Sequence, residues 1–242
     1  MKAFILAAGM GTRISRYIEE KPKCMLDIGG TTLLQYTIDL LKSKGINNII
    51  ICVGYRADYI MARIKDDSVK FVNNPFYDVT NGIATMWFAR EYMTAEDTII
   101  MSGDLYIEPS MLDELIKCKE DPVMIADSTR ITEADYRFRF ENSILIKHGK
   151  DLSIEETTGE NLGIVKMSAD FVREYKSHMC EMIEQQKHSL WWESVMYDMI
   201  PHTKIYIHDI AGKYWHEIDR VEDYKDILKH RGIIGDKDVQ KN

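Results

Sequence analysis

The sequence is poor in cysteine and proline and has no long hydrophobic run. Its four cysteines are widely separated and form no C-x-x-C pair, which favours reduced thiols over disulfides or a zinc site. The apolar stretches, such as Asn48–Val53, are far shorter than the roughly 20 residues that a membrane helix needs. The amino terminus has no charged leader followed by a long apolar region and a cleavage signature. These absences predict a cytoplasmic protein that does not span a membrane.

Positively charged residues are fewer than negatively charged ones. The 31 lysines and arginines face 39 acidic residues, so the formal net charge is -8. This balance disfavours general attraction to nucleic acid or to an anionic membrane. A length of 242 residues, with 45% hydrophobic and 29% charged residues, is typical of one globular α/β domain. We therefore expect a single domain over residues 1–242.

Apolar runs alternate with amphipathic segments through the first half of the chain. The runs predict buried strands over Lys2–Ala7, Asn48–Val53, Val69–Asn73 and Thr98–Ser102. The segments between and after them predict helices over Thr32–Lys44, Ala57–Lys65, Gly82–Tyr92 and Glu108–Lys117. This alternation indicates a parallel sheet with right-handed crossovers, whereas the shorter strands after Val123–Ala126 favour antiparallel pairing. We expect a Rossmann-like α/β fold with a mixed, mainly parallel sheet flanked by helices and a small antiparallel part.

The loop after the first predicted strand is rich in small residues. It reads Leu6-Ala7-Ala8-Gly9-Met10-Gly11-Thr12-Arg13. Alanine and glycine allow backbone N–H groups to approach an anionic ligand, and Arg13 adds a guanidinium for phosphate oxygens. The loop is neither a Walker A motif nor a dinucleotide fingerprint, because the lysine of the first and the third glycine of the second are missing. A G-x-G pair by itself is common by chance.

A second block strengthens the interpretation of this loop. Pro22-Lys23-Cys24-Met25-Leu26 and the Gly29-Gly30 turn follow it. The whole stretch Leu6–Leu34 resembles the amino-terminal signature of NTP-transferase-type nucleotidyltransferases, roughly L-A-A-G-x-G-T-R followed by P-K-x-L. The resemblance continues through Gly54-Tyr55, Ser102-Gly103-Asp104, Glu217-Ile218-Asp219 and 221–224, and so covers nearly the whole chain.

The resemblance implies a nucleotide-diphospho-sugar transferase-like fold and an enzyme that transfers a nucleoside monophosphate from an NTP. Asp104 and Asp219 match the aspartates that bind Mg²⁺ in relatives, and Arg13 and Lys23 would neutralise phosphate charge; these four are the catalytic candidates. The nucleotide-binding candidates are Leu6, Ala7, Ala8, Gly9, Met10, Gly11, Thr12, Arg13, Lys23, Asn81, Gly82 and Asp104. Residues 1–127 would then form the nucleotide-binding half, and residues 128–242 would bind the acceptor and complete the metal site.

Three further segments are similar to small cytidylyltransferases that act on phosphocholine, aminoethylphosphonate or related phosphonates. They are Asn74–Asn81, Leu190–Glu193 and Trp215–Asp219. The resemblance favours CTP as the donor and a small phosphate or phosphonate as the acceptor, with release of pyrophosphate. The acceptor-binding candidates are Tyr136, Arg137, Arg139, Trp191, Trp192, Glu193 and Trp215.

These acceptor candidates leave two alternatives open. Trp191, Trp192 and Glu193 could enclose an ammonium group by cation–π attraction and charge. Arg137 and Arg139, on one face of a predicted strand, could instead bind the phosphonate or a carboxylate of the acceptor. This arginine strand, with Gly82 after Asn81, departs from the phosphocholine-type pattern and argues against choline itself.

Two other functions compete with cytidylyl transfer. One is a sugar-1-phosphate nucleotidyltransferase that uses UTP or dTTP; the other is a non-catalytic nucleotide-binding protein. Retention of Arg13, Lys23, Asp104 and Asp219 speaks against the second. The expected partners are the nucleotide and the acceptor, and neither nucleic acid nor a membrane is expected to bind. We expect the chain to be a monomer or a homodimer.

Overall fold

A computed structural model describes residues 1–11, 13–14, 17–18 and 21–235. The strands are β1 (Lys2–Ala7), β2 (Asn48–Val53), β3 (Val69–Asn73), β4 (Thr98–Ser102), β5 (Leu105–Ile107), β6 (Val123–Asp127), β7 (Arg137–Glu141), β8 (Ile144–Gly149), β9 (Gly159–Met167), β10 (Tyr206–Asp209) and β11 (Trp215–Glu217). The helices are α1 (Leu33–Ser43), α2 (Ala57–Arg63), α3 (Gly82–Phe88), α4 (Pro109–Lys117), α5 (Ala169–Glu184), α6 (Ser194–Met199) and α7 (Val221–His230). Short 3₁₀ turns cover Lys23–Met25 and Arg90–Tyr92.

Within the described residues, nine strands form one sheet in the order β3-β2-β1-β4-β9-β6-β10-β8-β7. The strands β3, β2, β1 and β4 are parallel, and β9 pairs antiparallel with both β4 and β6. The predicted mixed α/β sheet is confirmed. Because β1 lies between β2 and β4, the chain leaves β1 to one side and returns on the other, which opens a crevice at the carboxyl ends of β1 and β4.

Each face of the sheet is buried by helices. Side chains alternate along β1, so that Ile5 packs with the residues of α1, α2 and α4, whereas Phe4 packs with those of α3, α5 and α6. Both side chains are fully buried. The central strands are therefore covered on both sides, which explains why they are continuous apolar runs in the sequence.

Local signals set the ends of several elements. The hydroxyl of Thr32 accepts the N–H of Gln35 at 3.2 Å and caps α1, and Gly45, with φ +77°, follows its last turn. The predicted helix over Gly82–Tyr92 is shorter than expected, because α3 ends at Phe88 and a 3₁₀ turn follows. Strand β5, which was not predicted, pairs with β11 as a small second sheet.

The described residues contain no helix that is both long enough and apolar enough to cross a lipid bilayer.

Candidate active site

The loops after β1 and β4 meet at the crevice. The N–H of Gly103 donates to the carbonyl of Leu6 at 2.8 Å. A Cβ at residue 103 would lie 2.7 Å from that same oxygen, so only glycine lets the two loops approach this closely. Asp104, the next residue, is thereby placed beside the end of β1.

The small β5–β11 sheet brings Asp219 to the same place. Glu217 pairs with Leu105, and the N–H of Ile218 donates to the carbonyl of Asp104 at 3.0 Å. The carboxylate of Asp223 accepts the N–H of Asp219 at 2.9 Å and so fixes its backbone at the start of α7. The predicted convergence of Asp104 and Asp219, which are far apart in sequence, is present in the structure.

Two cations contact these carboxylates. Lys23 Nζ donates to Asp219 and lies 3.4 Å from Asp104 Oδ2, and Arg13 donates to the other carboxylate oxygen of Asp219. Burial lowers the pKa of Lys23, but the carboxylates of Asp104, Asp219 and Glu217 outweigh it, and the pKa stands above its ordinary value. Lys23 is therefore a permanent positive charge at the centre of the site.

Asp104, Glu217 and Asp219 form a carboxylate cluster. Each offers one oxygen, and these oxygens lie within 4.8 Å of one another. Burial, followed by the charge of Asp219, raises the pKa of Asp104 against the effect of Lys23. The side chain of Glu217 is exposed to the crevice but surrounded by protein, and desolvation together with its two acidic neighbours raises its pKa well above the usual range. Such a set of hard oxygens that repel one another suits a divalent cation.

Gly11 makes room for Lys23. Its φ is +60°, and an added Cβ would lie 2.8 Å from Lys23 Cγ. We predict that Gly11→Ala displaces the lysine and lowers turnover by about a hundredfold. Gly45→Ala is the matched control, because residue 45 also has a positive φ of +77° but open space around it. It should lose about 1 kcal/mol of stability and keep its activity, as measured by thermal melts and initial rates. Equal activity losses in the two variants would contradict the role of Gly11.

The crevice continues into a cavity of about 390 Å³. Predicted nucleotide-binding residues that line it are Leu6, Ala8, Gly9, Arg13, Lys23, Asn81, Gly82 and Asp104. Ala7 and Gly11 line an adjoining hollow of about 120 Å³ next to Lys23. Met10 lines neither space and is 40% exposed. Thr12 lies outside the described residues.

The predicted acceptor-binding residues separate into two groups. Tyr136, Trp191, Trp192 and Glu193 line the cavity. Arg137 and Arg139 share a face of β7, as predicted, but neither of them lines the cavity. Arg137 donates to the carbonyl of Lys150 at 3.1 Å, and Arg139 pairs with Glu141 at 2.8 Å.

Trp215 also stays outside the cavity lining. The residue is 2% exposed, its Nε1 donates to Asp127 at 2.9 Å, and the Arg130 guanidinium lies 4.2 Å from the ring centre. Trp215 is thus a core residue that anchors β11.

Sequence reasoning missed several cavity residues. Glu217 had a usable signal, because it and Asp219 flank the buried Ile218 and so share a face of the chain. Tyr77, Thr80 and Ser102 lie in segments that carry the resemblance, but the other missed residues had no local signal, since the sheet topology brings them to the cavity. Besides Glu217, the missed residues are Tyr77, Thr80, Thr85, Ser102, Asp135, Glu160, Asn161 and Gly163.

Comparisons with known proteins agree with this geometry. The choline-phosphate cytidylyltransferase of Streptococcus pneumoniae is 28% identical over 95% of this chain and 99% of its own length. The CTP:phosphoglutamine cytidylyltransferase of Campylobacter jejuni is 30% identical over 72% of this chain and 76% of its own length.

A solved structure supports the fold. The structure of CTP:phosphocholine cytidylyltransferase from S. pneumoniae superposes with a TM-score of 0.76 at 23% identity, over 95% of this chain and 98% of that one. The family model for the MobA-like NTP transferase domain matches residues 3–190, which include the β1 loop, Lys23 and Asp104. The chain therefore belongs to the MobA-like NTP transferase family and is a nucleotidyltransferase.

Proposed function

We propose that the protein is a Mg²⁺-dependent cytidylyltransferase that transfers CMP from CTP to a small phosphate or phosphonate acceptor and releases pyrophosphate. The observation that carries this proposal is the convergence of Asp104 and Asp219 with Lys23 and Arg13 beside the β1 loop. The cytidine specificity rests on the activities named for the two relatives, both of which are cytidylyltransferases. Their acceptors differ, so the proposal names only the class of acceptor.

The nucleotide would lie along the β1 loop. The space beside Gly9 is open, so a ligand can lie against the backbone there. On the same side, Thr80 and Thr85 line the cavity, and their hydroxyls accept hydrogen bonds from the buried amide of Asn74 at 3.1 and 2.9 Å. These fixed hydroxyls, with Asn81 and Tyr77, are suited to contact the ribose and the base.

Asp104 and Asp219, together with Glu217, would hold the Mg²⁺ ion. When bound, this ion supplies positive charge to the phosphates. Lys23 and Arg13 add two further cations from the protein. An acceptor oxygen that is already anionic attacks the α-phosphorus, a new P–O bond forms, the bond to the β-phosphate oxygen breaks, and pyrophosphate leaves. The protein must therefore position anions and neutralise their repulsion, and a general base is not required.

A substrate panel tests this proposal. The protein is incubated with Mg²⁺, each of CTP, UTP, dTTP, ATP and GTP, and acceptors that include phosphocholine, 2-aminoethylphosphonate and glucose 1-phosphate, and pyrophosphate release is measured. We expect turnover with CTP and a small phosphate or phosphonate. Turnover of UTP or dTTP with the hexose phosphate, and none with CTP, would instead support the sugar-nucleotide alternative. Nucleotide binding without any turnover would support a non-catalytic role.

A further inference from the structure

The cavity becomes acidic beyond the catalytic carboxylates. Strand β9 runs antiparallel to β4 and continues past its end, so that Gly163 lies beside Ser102 and the residues before it extend the cavity. Asp135, Glu160 and Glu193 line this extension. The cations among the described lining residues are Arg13 and Lys23, and both are bound to Asp219. Lys150 pairs with Asp135 at 2.8 Å and Arg130 lies 4.0 Å from Glu160, but neither cation is among the lining residues and neither pairs with Glu193.

Glu193 is the most deeply placed of these acids. Its side chain lines the cavity although it is only 4% exposed. Its polar neighbour is the amide of Asn161, and within the described part of the chain no lysine, arginine or histidine forms an ion pair with it. Burial raises its pKa to about 7. A carboxylate that is removed from water and lacks a cationic partner is unfavourable, and a cation brought by a ligand would compensate it.

Glu160 repeats this arrangement on β9. It is 7% exposed, and one oxygen accepts the N–H of Asp135 at 2.7 Å. The other oxygen lies 4.0 Å from Arg130, whose guanidinium also covers Trp215. Burial raises the pKa of Glu160 to about 7 as well. Two buried acids on separate elements thus face one end of the cavity with little compensating charge.

Two aromatic residues at this end, Trp191 and Tyr136, are already engaged with protein groups. Lys150 Nζ lies 4.9 Å from the centre of the Trp191 ring. Tyr136 stacks on Tyr197 at 5.7 Å, and its hydroxyl lies 2.9 Å from His148 Nδ1. A trimethylammonium group needs open ring faces on several sides and has no N–H to give a carboxylate. A primary ammonium, with three N–H donors, matches carboxylates and carbonyl oxygens instead.

From this arrangement we propose that the acceptor carries a primary ammonium group, with Glu193 as its principal partner and Glu160 as the second. The inference rests on the proposed function, since it names the acceptor class for that same reaction. Asp135, at the same end of the cavity, is already paired with Lys150 at 2.8 Å and is left out of this assignment. Acceptors that end in a carboxylate would be repelled by Glu193 and Glu160. Arg137 and Arg139 do not line the cavity, so they cannot offset this repulsion.

Four phosphonates with the same head group test the inference. They are 2-aminoethylphosphonate, its N-trimethyl analogue, ethylphosphonate and 2-carboxyethylphosphonate, each assayed with CTP and Mg²⁺ by pyrophosphate release. We expect kcat/KM for the primary amine to exceed that for ethylphosphonate by tenfold to about a hundredfold, the range of a hydrogen bond to a charged group. The trimethyl analogue should fall between them, and the acid should be poorest. Equal use of the amine and ethylphosphonate, or preference for the trimethyl compound, would overturn the inference.

A matched pair of variants assigns the effect to Glu193. Glu193→Gln keeps the shape but removes the charge, so the ratio of kcat/KM for the amine to kcat/KM for ethylphosphonate should fall toward unity. Glu174→Gln, which changes an exposed acid on α5, should keep the full preference. Retained preference in folded Glu193→Gln would contradict the assignment, and the parent's ranking of the four acceptors still decides if that variant does not fold. If neither these acceptors nor any other is turned over with any NTP, the proposed function itself is wrong; a measurable but unselective reaction refutes only the amine.

Discussion

Asp104→Ala should lower kcat by at least about a thousandfold, because it removes one of the two aspartates that would hold the cation facing the phosphates. Burial raises the pKa of the Asp104 carboxyl, so the ionised carboxylate is less stable in the folded protein than in water. The variant should therefore keep or slightly raise its melting temperature, which distinguishes loss of chemistry from loss of folding. Initial rates with CTP and a calorimetric titration with Mn²⁺ would measure the two consequences of the change.

Asp113→Ala is the matched control for this experiment. Asp113 also forms an ion pair with a lysine, Lys44, at 2.8 Å, but it lies on the outer surface of α4 and is 41% exposed. It should retain full turnover and Mn²⁺ binding. Residual activity of Asp104→Ala within tenfold of the parent, in a protein that melts normally, would remove the aspartate from the reaction and with it the proposed metal site.

The sequence predicted the central sheet well, for a physical reason. The strands β1, β2 and β4 are buried on both faces, so each is a largely apolar run, whereas β3, at the edge of the sheet, is only partly buried. Their bounds match the predicted ones. The loop after β1 and Asp104 after β4 follow from the same logic, because parallel strands place their carboxyl ends at one edge of the sheet.

Pairings between distant segments were harder to predict. Strand β5 has only three residues, too few to show a period, and it exists because β11 pairs with it from more than a hundred residues away. That pairing also places Glu217 beside Asp104. The small sheet is therefore the part of the site that only tertiary structure reveals.

The residues at the acceptor end of the cavity were also hard to predict from the sequence. Alternation along β7 was predicted, and Phe138 is buried opposite the two arginines. Alternation cannot say which face of a strand meets a cavity, and the arginine face does not. Trp191 and Trp215 look alike in sequence, yet Trp191 lines the cavity and Trp215 is held in the core by Asp127.

Lys23→Met should lower kcat/KM for CTP by a hundredfold to about a thousandfold, since it removes a preorganised positive charge from the point where phosphate charge must be stabilised. The methionine keeps most of the stem that passes Gly11. Lys23→Arg should not restore activity, because a planar guanidinium differs in shape from the ammonium between Asp104 and Asp219. Steady-state kinetics on the two variants would measure both effects.

The stability of Lys23→Met should also depend on divalent cations more strongly than that of the parent. Lys23 provides positive charge to Asp104, Glu217 and Asp219, whose oxygens lie within 4.8 Å of one another. Without it their mutual repulsion increases, so Lys23→Met should melt at a lower temperature than the parent and gain more stability when Mg²⁺ is added. Lys44→Met, which breaks the surface pair with Asp113, should show neither change. If the Mg²⁺-dependent shift in melting temperature is the same for parent and Lys23→Met, the lysine and the cation do not share the carboxylate cluster, and the charge arrangement proposed for the reaction is wrong.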